Sequence, residues 1–152
     1  MNKIVNNLIN SSKIDNNNYG YQHFSGIYKN GKPLYHGCNH LRNSYNGNCI
    51  CFSTHAEIDV LHKVLKRCKL QLFKDIIDLS NYTIVVLRFG KNGNLRNSRP
   101  CNNCLDTMTK YRIKKILYST DDGNFKIDKP EVMEKTHTSS GWKAYESGRL
   151  LN

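Results

Sequence analysis

Four side chains carry the most chemistry in this 152-residue sequence: His55, Glu57, Cys101 and Cys104. Each falls where hydropathy patterning predicts that a helix begins. Behind His55, the residues Ala56, Val60, Leu61, Val64, Leu65, Cys68 and Leu72 recur at three- and four-residue steps. Cys101 and Cys104 open a shorter helical stretch that runs to Tyr111. A helix N-terminus has free N–H groups and positive partial charge, which favour the thiolate form of a cysteine. Two cysteines three apart at such a start can both reach one metal, and His55 would complete a His/Cys/Cys set suited to tetrahedral zinc. Three protein ligands leave one coordination position open, which separates a catalytic zinc from a closed structural one. Water there would be acidified toward neutrality and become a nucleophile. Glu57, two residues after His55, can then move protons beside the metal without binding it.

Taken singly, these residues fit blander roles: a redox Cys-x-x-Cys pair, a structural metal site, a core histidine, a first-turn acid favoured by the helix dipole. Taken jointly, they favour the catalytic zinc. The elements that must bring them together can be read in order. An amphipathic helix over Lys3–Ile14 ends at the Asn16–Asn18 run, and a hairpin of His23–Lys29 with Lys32–His36 turns at Asn30-Gly31. Gly37–Thr54 is a long polar loop, of a length that is more often functional than idle. Tyr82–Phe89, rich in β-branched and aromatic residues, reads as a buried central strand. Gly90–Pro100 reads as loop and Ile113–Ser119 as strand, and Asp121 to Asn124 form a tight reversal into Phe125–Ile127. The tail suggests a short helix over Glu131–Lys135 and a last one over Trp142–Ser147. With no internal repeat and no linker, residues 1–152 read as a single domain.

Composition bounds the possibilities. Hydrophobic residues make up 38% and charged residues 23%, which excludes fibrous classes. No apolar run approaches the roughly 20 residues that cross a bilayer, and the Asn-rich start has no stretch resembling a signal peptide, so a cytoplasmic protein is expected. Six cysteines in such a chain point first to metal or catalysis. The formal charge of +11 would draw phosphate-bearing partners, nucleotides or nucleic acid, although it equally serves solubility. Arg42, Arg96, Arg99 and Arg112 stand near the motif loops as candidate phosphate ligands, and Tyr45, Phe52 and Tyr111 as candidate stacking platforms.

Thr54-His55-Ala56-Glu57 followed by Pro100-Cys101-Asn102-Asn103-Cys104 resembles the signature of the zinc-dependent cytidine/deoxycytidylate deaminase superfamily, H-x-E and then P-C-x-x-C. The resemblance spans roughly His23 to Ser119. It implies a cytidine deaminase-like three-layer α/β/α sandwich with a mixed sheet of about five strands, the zinc helices on one face. It also implies a Zn2+ cofactor on His55, Cys101 and Cys104, Glu57 as catalytic proton shuttle, and Asn39 and Ala56 as substrate-binding positions. The implied activity is hydrolysis of a C–N bond in a cyclic amidine, the exocyclic amine of a nucleobase. A cytidine or deoxycytidine compound of nucleotide metabolism is the favoured substrate; a nucleic-acid deaminase and a catalytically silent zinc module are the alternatives. Relatives typically form homo-oligomers. Some members hold a second, structural zinc, and His36, Cys38, His40, Cys49 and Cys51 crowd one loop where such a site could form. The reversal at Asp121 to Asn124 implies an antiparallel last hairpin, as in the free-nucleoside branch and the blasticidin deaminases, whereas His55 as first ligand favours the nucleotide and polynucleotide branches. The base, sugar and phosphate state therefore stay open.

Overall fold

The computed structural model describes residues 2–12, 22–40, 44–45, 50–51, 54–71 and 77–147. The Asn16–Asn18 stop, Arg42, Cys49 and Phe52 lie outside them. Helix α1 (Asn2–Ser12) precedes strands β1 (Gln22–Lys29) and β2 (Lys32–Cys38), joined at Asn30-Gly31. Both turn residues have positive φ, 50° and 76°, the conformation in which a two-residue turn matches the twist of its strands. The expected polar loop holds two short strands, β3 (Ser44–Tyr45) and β4 (Ile50–Cys51). Helix α2 (Ala56–Gln71) and strand β5 (Tyr82–Phe89) follow, then β6 (Leu95–Arg96), α3 (Asn102–Lys110), β7 (Lys115–Ser119) and β8 (Phe125–Asp128).

The sheet runs β2-β1-β5-β7-β8, with β6 also pairing β5. Only the β5–β7 pair is parallel. Strand β5 sits centrally, as its continuous apolar run requires, and its alternation divides the core. Ile84 and Val86 face α2 and α3, packing with Ile27, Leu61, Leu105, Met108 and Ile116. Val85 and Leu87 face α1, packing with Val5, Leu8, Tyr28 and Leu117. Three layers result, and both helices that begin with the candidate ligands lie on one face.

Two expectations shift. Gly90–Pro100 contains β6, because Gly90 and Asn94 close a turn that folds the chain back onto β5. The helix expected over Glu131–Lys135 is a single 3-10 turn, Pro130–Val132, since Val132 is 74% exposed and Glu131 and Glu134 are exposed too, leaving little apolar face to bury. The last helix, α4 (Ser140–Glu146), and the antiparallel β7–β8 pair are as expected.

Candidate metal centre

The C-terminal ends of the parallel strands β5 and β7 and the N-termini of α2 and α3 meet at one edge of the sandwich, the place where open α/β sheets form their crevice. The β2 exit and the α2 entry are tied together there. His40 and Thr54 exchange backbone hydrogen bonds of 3.1 and 2.9 Å, so Asn39-His40 runs beside Thr54-His55. The His55 carbonyl accepts the Ile58 and Asp59 N–H groups and starts α2. Cys101 is the N-cap of α3, and its carbonyl accepts the Leu105 N–H.

A buried serine pair fixes the approach to Cys101. The Ser98 hydroxyl donates to the Val86 carbonyl at 2.8 Å and accepts the Ser119 N–H at 2.8 Å. The Ser119 hydroxyl donates to the Arg96 carbonyl at 2.6 Å, so the ends of β5, β6 and β7 are stitched together. On the other side, the Asn102 N–H donates to the His137 carbonyl at 2.9 Å, and the His137 N–H donates back to Asn102 Oδ1 at 3.2 Å. Arg99 Nη2 donates to the Glu134 carbonyl at 2.6 Å, which clamps the C-terminal tail against the start of α3.

This framework brings His55, Cys101 and Cys104 together, although His55 and Cys101 are 46 residues apart. Their donor atoms all lie within 4.8 Å of one another. His55 Nδ1 is 3.5 Å from Cys101 Sγ and 3.3 Å from Cys104 Sγ. Bond lengths of about 2.0 Å to nitrogen and 2.3 Å to sulfur around a tetrahedral zinc put those atoms about 3.5 Å apart, so the donor set fits zinc in chemistry and in spacing. It is the only such cluster among the described residues. Both cysteines are buried, as is Glu57 at 4% exposure on the first turn of α2.

Electrostatics at the cluster follow from that packing. Cys104 and then His55 hydrogen-bond the Cys101 sulfur and hold it down to about 4, against burial. The same Cys101 contact lifts His55 to about 9. Burial pushes the Glu57 carboxyl up, with His55 opposing. His23, on the sheet beside the cluster, is held down to about 4 by burial first and then by the charges of Arg88 and His55.

The remaining candidates separate. Asn39, exposed at the end of β2, accepts the His23 N–H on Oδ1 at 2.9 Å, which turns its Nδ2 end outward from that bond. The Ala56 side chain is fully buried, leaving its first-turn N–H as its polar group. His36, Cys38 and His40 join no metal cluster among the described residues, and the Cys51 side chain, like Cys49, lies outside them. His40 instead stands 3.7 Å from Asp59, which Lys63 pairs at 2.9 Å. Arg112 pairs Asp78 on the surface, while Tyr111 and Cys68 pack against the core. His23, Arg88, Ser98, Ser119 and His137 carry no local signal of a place at this site, because cross-strand register and a late chain crossing bring them here. No helix of the described residues is long and apolar enough to cross a membrane.

No family model matches the chain, and no curated protein matches it. Solved structures do. A cytidine deaminase from Burkholderia pseudomallei superposes with a TM-score of 0.53 at 16% identity, over 82% of this chain and 91% of that one. A dCMP deaminase from the cyanophage S-TIM5 gives 0.47 at 19% identity, over 80% and 86%. The chain has the cytidine deaminase fold, the one implied by its two motifs.

Proposed function

We propose that the protein is a zinc-dependent hydrolytic deaminase that removes the exocyclic amine of a nucleobase in a nucleoside or nucleotide, most favourably a cytidine or deoxycytidine compound. The convergence of His55, Cys101 and Cys104 at two helix N-termini, with Glu57 buried beside them, carries this reading. His55, Cys101 and Cys104 would hold the ion. When bound, zinc supplies a Lewis acid that acidifies water to near neutrality. The rest is the work of this chain's own groups. Glu57 takes a proton from the incoming water and passes it to the ring nitrogen, then takes the proton of the added hydroxyl and delivers it to the amine, so that the carbonyl forms as the C–N bond breaks and ammonia leaves as a neutral molecule. Burial raises its affinity for that proton. The Ala56 N–H and the Asn39 amide, held by its bond to His23, donate to substrate acceptors. The cytidine deaminase fold supports the assignment. A cytoplasmic homo-oligomer belongs to the same reading.

Purified protein should contain about one zinc per chain by elemental analysis, and mass spectrometry of pooled nucleosides, nucleotides and short oligonucleotides should show a gain of one mass unit as amine becomes carbonyl. Conversion only within oligonucleotides would turn the reading to a nucleic-acid deaminase, a class that the +11 charge also suits. Zinc without turnover of any compound would leave a zinc-binding module.

A further inference from the structure

Register across three neighbouring strands aligns a basic row on the sheet face that carries the metal cluster. His23 on β1 stands directly opposite Arg88 on β5, and Arg88 directly opposite Arg96 on β6. Directly opposed residues share a face, and Ile84 and Val86, four and two positions before Arg88, point to α2 and α3. The row therefore begins beside His55, whose charge His23 feels together with that of Arg88, and leads outward to the β5–β6 hairpin.

A cavity of about 350 Å³ opens at the outer end of this row, lined by Arg88, Lys91, Asn92, Asn94, Arg96 and Asp121. Three cations face one carboxylate, and that carboxylate already accepts the Asn97 N–H at 3.1 Å. Neither Lys91 nor Arg96 has an ion-pair partner among the described residues. Space for the Arg96 side chain is made at Gly90, where a Cβ would come within 3.3 Å of Arg96 Nε. The floor is rigid: Ser119 holds the Arg88 N–H and the Arg96 carbonyl together. The lining includes no aromatic side chain on which successive bases could stack.

We propose that this cavity is the phosphate subsite of the active site, so that the substrate is a nucleoside monophosphate, its base at the metal cluster and its phosphate between Arg88, Arg96 and Lys91. The lining's net excess of two positive charges matches a phosphomonoester dianion; the Arg96 guanidinium fork offers it paired donors, and Arg88, which also donates to the Asn97 carbonyl at 3.5 Å, adds its charge. The substrate assignment rests on the deaminase reading above, whereas the anion site stands on its own lining.

The test uses the zinc-loaded full chain and two readouts. Inorganic phosphate is titrated by calorimetry, and kcat/KM is compared for a nucleoside and its 5′-monophosphate. Wild type should bind phosphate and prefer the monophosphate. In Arg96→Gln, phosphate affinity and the monophosphate-to-nucleoside ratio should each fall about tenfold, the loss of one charge-assisted contact. Arg88→Gln should act likewise, and the exposed Arg96 decides should Arg88→Gln lose its structure. Unchanged phosphate affinity and an unchanged ratio in Arg96→Gln would overturn the subsite while leaving the deaminase reading in place. Faster turnover of oligonucleotides than of the monophosphate would also overturn it. Phosphate binding with no ammonia from any nucleobase compound would instead defeat the deaminase reading and the nucleotide assignment together, the anion site alone surviving.

Discussion

Glu57→Gln isolates proton transfer from everything else that Glu57 does. The side chain is 4% exposed within the first turn of α2, packed among residues that hold the helix to the sheet, so shortening it would open a cavity. Glutamine keeps the volume and removes only the group that gains and loses a proton. It also removes the cost of holding a carboxylate out of water, the cost that pushes this carboxyl up. Fold and metal content should therefore be retained, with Tm no lower than in wild type. Turnover should fall about 10²- to 10⁴-fold, the contribution of a positioned general acid–base, or about 3–5 kcal/mol on the barrier. Ammonia release measured at saturating substrate, alongside zinc content and a thermal melt on the same preparation, separates the possibilities. A glutamine variant with full zinc and turnover within tenfold of wild type would refute the role given to Glu57.

Other perturbations test the frame around it. Cys101→Ala should lose stoichiometric zinc, and the thermal stabilisation that wild type gains on zinc addition, about 3 kcal/mol at a hundredfold excess over Kd, should vanish in a melt. Met108→Ala, at a fully buried position between α3 and the sheet, should cost about 3 kcal/mol, seen as a fall of about 9 °C in Tm for a domain of this size. Asp122, whose carboxyl is held down to about 2 by the Thr120 hydroxyl and the Asn124 amide, stabilises the β7–β8 turn above its ordinary value near 4 and ceases to as pH falls toward 2. Asp122→Asn should accordingly be less stable than wild type at pH 6 and converge on it near pH 2, measured as the difference in Tm between the two proteins.

Where one element's own pattern decides its shape, the sequence is readable. Asn30-Gly31 prescribes its turn, the Tyr82–Phe89 run prescribes a central strand, and the α2 apolar stripe prescribes the buried face that puts His55 and Glu57 at its mouth. The metal cluster is readable for the same reason: helix starts are local signals, and three ligands at two such starts constrain one another. What local patterns do not contain is register. Arg88 is one arginine in an apolar strand until β1 and β6 are laid beside it, and only then does it join His23 and Arg96 in a row. Arg112, by contrast, sits in a motif loop by sequence and turns away to Asp78 at a positive φ of 59°. The Ser98–Ser119 pair is likewise silent in sequence, two serines 21 positions apart whose meaning depends on β6 folding back.

The clamp between the start of α3 and residues 134–138 has a bearing on how the protein is made. During synthesis Cys101 and Cys104 emerge well before Glu134, His137 and Thr138, so the helix that presents the two thiols waits for its last fastening. In that interval the start of α3 lacks the hydrogen bonds that tie it to residues 134–138, so the geometry of its first turn is set late in synthesis.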